Sequence, residues 1–67
     1  MEHPLLRWFE SDHLKPELQS VVKPFQALAQ DITIMTNPGA EQTVALRKLL
    51  ESKDAAVRQA VLDMEEN

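Results

Sequence analysis

The chain has 67 residues, a formal net charge of −4 and no cysteine. That length allows one domain at most and only a thin core, so a second source of stability is expected. The missing cysteines exclude disulfides and thiolate zinc sites, which leaves subunit contacts or an unusually well-packed hairpin. An acidic chain is a poor fit to polymeric nucleic acid, which demands a basic surface. A small anionic ligand needs only a few placed Arg, Lys or backbone N–H groups. No apolar run approaches the roughly 20 residues of a membrane span, and Met1-Glu2-His3-Pro4 lacks the basic start of a signal peptide. The expectation is therefore a cytoplasmic protein whose partners include neither a membrane nor long DNA or RNA.

Residues 1–15 hold Leu5, Leu6, Trp8 and Phe9, and two of the three aromatic side chains. They show no clean period, which predicts a packed arm rather than a long helix. From Pro16 to Met35 the apolar residues Leu18, Val21, Val22, Phe25, Leu28, Ala29, Ile32 and Met35 recur at helical spacing. Pro16 suits the first helical position, where its missing N–H costs nothing. Pro24 falls inside the pattern and predicts a bend, because it removes the bond to the Ser20 carbonyl. Thr36-Asn37-Pro38-Gly39 reads as a turn. So short a link makes the next helix an antiparallel neighbour.

The second helix is predicted over residues 40–64. Its inner stripe is Thr43, Leu46, Leu50, Lys53, Val57, Ala60 and Met64, a heptad spacing that Leu49 and Val61 widen. Glu41 stands at its start, where the helix dipole favours negative charge. The acidic end from Asp63 to Asn67 is predicted to fray.

Lys53 is the odd member of that stripe. An ammonium among apolar groups must find a partner or reach water. One reading is an ion pair that fixes register, with Asp31 or Asp54 as partner. The other is a phosphate contact in a pocket between subunits. Arg47, Glu51, Asp54 and Arg58 form a row on the polar face, and Arg47–Glu51 and Asp54–Arg58 have the i, i+4 spacing of a solvated ladder. The same row also suits contacts to another subunit or a ligand. Val44 and Leu62 share that face, which points towards a subunit contact. Trp8 and Phe9 either cover the core or stack on a planar ligand.

Catalysis finds little support. There is one glycine in the chain, hence no Gly-rich phosphate loop, and no nucleophile motif. Ser11-Asp12-His13 contains triad residue types, but neighbours in sequence cannot adopt triad geometry. His3 and His13 lack a surrounding ligand cluster, so neither a metal nor a cofactor is expected.

The run Thr43-Val44-Ala45-Leu46-Arg47-Lys48-Leu49-Leu50-Glu51-Ser52-Lys53-Asp54-Ala55-Ala56-Val57-Arg58, with Pro24-Phe25-Gln26-Ala27-Leu28-Ala29 and His13-Leu14 before it, resembles a family of small phage helical-hairpin proteins. The resemblance covers residues 9–62. That family includes inhibitors of the bacterial CBASS and Thoeris defences, which act as sponges for cyclic oligonucleotide or cyclic ADP-ribose signals. The resemblance implies a hexamer with ligands enclosed between subunits and no turnover. Better-known members carry a tyrosine ahead of the first helix and a lysine on it. This chain has no tyrosine, so Trp8, Phe9 or His13 would take the stacking role. The lysine's register falls near Lys23 or Gln26. Arg47, Lys48, Lys53 and Arg58 lie within the shared run.

The expected architecture is all-α: an antiparallel two-helix hairpin with a short N-terminal arm, assembled as a homo-oligomer. The expected ligand is a cyclic di- or trinucleotide or a cyclic ADP-ribose type signal, met by Trp8, Phe9, His13, Lys23, Gln26, Arg47, Lys53 and Arg58. The competing expectation is a structural or protein-binding hairpin with no small-molecule ligand.

Overall fold

The computed structural model describes residues 2–66. It is all-helical and hairpin-like, with no strand among the described residues. A 3-10 helix, Pro4–Phe9, precedes α1, Pro16–Met35, and α2, Ala40–Glu66. At 1.5 Å per residue the 27 residues of α2 span about 40 Å. This helix sets the 43 Å long axis of the molecule. The seven extra residues of α2 over the 20 of α1 leave its C-terminal end projecting past its neighbour. No helix among the described residues is long and apolar enough to cross a membrane.

The arm takes a definite form. Pro4 begins the 3-10 helix, and the His3 ring caps it by accepting the Leu5 N–H on Nδ1 at 3.1 Å. A neutral ring that accepts at Nδ1 carries its proton on Nε2. His3 Nε2 therefore donates to Thr43 Oγ1 of α2, 3.0 Å away. With three residues per turn, Leu6 and Phe9 eclipse one another, while Trp8 points about 120° away from Phe9. Phe9 is 0% exposed and Trp8 is 56% exposed.

Phe9, Ala29 and Leu46 form the fully buried centre, one residue from each helix. Leu5, Leu6, Phe25, Ile32, Leu49 and Leu50 pack around them. Ala29 is the small member, and its short side chain leaves room for the Phe9 ring at the junction. The arm is thus a third helical element of the core rather than a cover laid over a finished hairpin.

α1 runs continuously through Pro24. It begins at Pro16 without a side-chain cap, and Glu17 in the first turn complements the dipole. At its end the Thr36 hydroxyl donates to the Ile32 carbonyl at 2.7 Å. Gln42, a buried amide on α2, donates to the Thr36 carbonyl at 3.1 Å and to its hydroxyl oxygen at 2.9 Å. This side chain clamps the turn. Gly39 has no positive φ and open space where a Cβ would stand, so the turn does not depend on glycine's special backbone freedom.

Two expectations change here. The second helix does not stop at Met64 but continues to Glu66, and Gln59 donates to Asp63 at 2.7 Å near its end. The polar row pairs differently as well. Glu51 meets Lys48 at 3.7 Å rather than Arg47, and Asp54 meets Lys53 rather than Arg58. The Lys48–Glu51 pair is largely exposed on both sides and contributes little to stability.

Candidate functional site

A cleft of about 520 Å³ opens where the arm, the start of α1 and the second half of α2 meet. Arg7, Trp8, Glu10 and His13 line it from the N-terminal side, Leu14 and Val22 from the linker and α1, and Lys53, Asp54, Val57 and Arg58 from α2. Each side chain has a local reason to be there. The 3-10 helix turns Phe9 into the core and so presents its neighbour Trp8 outward. Arg7 lies over the indole, its guanidinium carbon 5.2 Å from the ring centroid, a cation–π contact. A turn closed by the Leu14 N–H on the Ser11 carbonyl, 2.9 Å, carries His13 to the rim. Gln19 of α1 fixes that turn by donating to the Leu14 carbonyl at 2.7 Å.

Lys53 continues the apolar stripe of α2 between Leu50 and Val57. Its stem lies within the stripe and its ammonium turns sideways to Asp54 Oδ1 at 2.6 Å. Of the two partners offered by the sequence, Asp54 is the one used, and Asp31 stays exposed on α1. Arg58, one helical turn beyond Asp54, is exposed and meets no acidic partner among the described residues.

The cleft brings together Trp8, His13, Lys53 and Arg58 among the residues singled out from sequence. It does not gather the others. Phe9 has no exposed surface for stacking, because its ring fills the core against Ala29 and Leu46. Gln26 lines a second cleft, of about 450 Å³, with Glu2, His3, Glu10, Asp12 and Gln30 among its neighbours. Lys23 and Arg47 are exposed and line neither cleft. Asp54 entered the sequence reading as a partner of Lys53 and a member of the polar row, whereas Arg7 and Glu10 were passed over. The three-residue period of the 3-10 helix, which stacks Arg7 above Glu10, is the signal that places those two.

No family model, no curated protein and no solved structure matches this chain.

The arrangement offers a flat aromatic surface, guanidinium and ammonium donors, and two carboxylate acceptors in one groove. Such a set can hold a planar ring and a phosphate together. Among the described residues, no group of three or more His, Cys, Asp or Glu is placed to hold a metal ion.

Proposed function

We propose that this protein binds a small anionic ligand carrying a planar base and acts by sequestering it: a phage-type anti-defence sponge for cyclic di- or trinucleotide or cyclic ADP-ribose type immune signals. The observation that carries this reading is the shared cleft of Trp8, Arg7, Lys53 and Arg58. Trp8 stacks on a base, and Lys53 and Arg58 receive a phosphate. Sequestration lowers the free signal through affinity alone, without bond cleavage. In this reading a second copy of the chain closes the groove in a homo-oligomer, a hexamer in the family this sequence resembles.

Native mass spectrometry, with and without a panel of cyclic di- and trinucleotides and cyclic ADP-ribose isomers, tests the reading. A discrete oligomer that gains a fixed number of one ligand supports it. An oligomer that gains none across the panel overturns the ligand, and a bare monomer overturns the assembly. Trp8→Ala is the matching variant: with the indole half out of the core, ligand is lost while helix content stays.

A second reading is a structural or protein-binding hairpin. Its support is the exposed apolar surface of Ile34 and Met35 beside the turn and of Val44 and Leu62 on the outer face of α2. In that case Trp8→Ala changes assembly or partner binding and no small molecule raises the melting temperature.

A further inference from the structure

The cleft's charges are unequal in number and in freedom. Three cations, Arg7, Lys53 and Arg58, face two carboxylates, Glu10 and Asp54. Only Lys53 and Asp54 are joined, at 2.6 Å. The Lys53 side chain is 13% exposed and that of Asp54 is 47% exposed. Lys53 cannot leave without uncovering the apolar stripe in which its stem lies. Asp54 needs only a change of rotamer to put its carboxylate in water. An ammonium has three N–H donors, so one carboxylate oxygen uses a fraction of its capacity. Arg58 stands one turn further along the same helix with no acidic partner among the described residues.

We propose that Asp54 is a built-in competitor for the anion seat of this cleft: its carboxylate holds Lys53 until a phosphate group takes its place between Lys53 and Arg58. The proposal rests on the reading of this cleft as an anion site, but it does not require the ligand to be a cyclic nucleotide. An incoming phosphate meets repulsion from Asp54 for as long as the carboxylate stays, and faces two cations once it has swung away. Asp54 thereby sets the affinity threshold. It keeps Lys53 paired in the free protein, where a lone charge in an apolar stripe is costly. It also weakens the hold on simple anions, which displace it only at high concentration.

The test is NMR titration of the isotope-labelled full chain with inorganic phosphate at constant ionic strength. In Asp54→Asn, shifts at residues 53, 54, 57 and 58 should saturate with an affinity roughly tenfold tighter than in the unsubstituted chain, the scale of one charge repulsion removed at about 4 Å in a solvated cleft. The double variant with Lys53→Met should lose that saturation. Equal or weaker phosphate binding by folded Asp54→Asn overturns the proposal. The unsubstituted chain supplies an independent arm should Asp54→Asn not fold. At high phosphate the Asp54 side-chain carboxyl carbon and the Lys53 side-chain nitrogen must move together; a stationary Asp54 carboxyl beside a responding Lys53 overturns displacement. Competition at Lys53 without capture of any cyclic nucleotide by the oligomer removes the sponge reading and leaves this one standing. Capture without competition does the reverse.

Discussion

Replacing Phe9 with alanine should remove most of the stability of this protein. The Phe9 ring is 0% exposed and meets Ala29 and Leu46 at the centre of the core. A buried phenylalanine withdraws about 150–250 Å² from water, worth about 4–6 kcal/mol at about 25 cal/mol per Å². Compact unfolded chains reduce such figures by roughly 10–40%, giving about 2–5 kcal/mol. That agrees with the cost of about 3–5 kcal/mol for phenylalanine truncations in other cores. A domain of this length holds about 3–10 kcal/mol in total. Urea unfolding followed by circular dichroism at several protein concentrations is the assay, because subunit contacts would make the midpoint depend on concentration. Phe9→Ala should be largely unfolded before urea is added, or nearly so, and Phe9→Leu should keep most of its helix content. A loss under about 1 kcal/mol would mean that the arm is not part of the core, and Phe9 would return as a candidate for ligand stacking.

Three further substitutions probe the joints of the fold. Pro24→Ala restores an N–H to the Ser20 carbonyl within a continuous helix. The helix-interior penalty of up to ~3 kcal/mol outweighs the lost stiffening of the unfolded chain, about 0.4–1 kcal/mol, so the urea midpoint should rise; a fall would show that packing needs the proline. Gln42→Ala deletes both amide contacts to Thr36 and should cost about 1–3 kcal/mol, with hydrogen exchange at residues 36–39 accelerating first. Thr43→Val keeps the shape of the side chain but removes the acceptor for His3. It should cost about 0.5–1.5 kcal/mol, read as faster exchange in the arm with α1 and α2 unaffected.

Much of the helical frame was legible because its signals are periodic. The apolar steps from Leu18 to Met35 and the Pro16 start mark α1, and Asn37-Pro38-Gly39 marks the break before Ala40. Pro38 stops a helix by its ring chemistry, whereas Gly39 adopts no conformation that needs glycine. The arm was harder to read, since a period of three over six residues is too short to stand out. Without it, Trp8 and Phe9 are equivalent neighbours; with it, one enters the core and the other faces water. Charge partners were legible only in part. Asp54 was one of the two partners read for Lys53, whereas the i, i+4 spacing offered Arg47–Glu51 and Asp54–Arg58 and the structure pairs Glu51 with Lys48 and Asp54 with Lys53. Of the eight ligand-binding candidates, Trp8, His13, Lys53 and Arg58 share the cleft, while Phe9, Lys23, Gln26 and Arg47 lie outside it. Gln42 gave no warning, because a single polar residue at a helix start is ordinary until its carbonyl partner is known.

The bond between His3 and Thr43 also gives the molecule a direction. It places the beginning of the chain beside the turn between α1 and α2, where Glu2 and His3 share a small groove with Pro38 and Gln42. From Thr43, α2 then runs about 35 Å to Glu66. A fluorophore carried on residue 2 therefore sits beside the turn, while one carried on residue 65 sits at the opposite pole. Paired labels at the two poles give a ruler about the length of the molecule, and any side-by-side assembly of copies must declare through their spacing whether neighbours run parallel or head to tail.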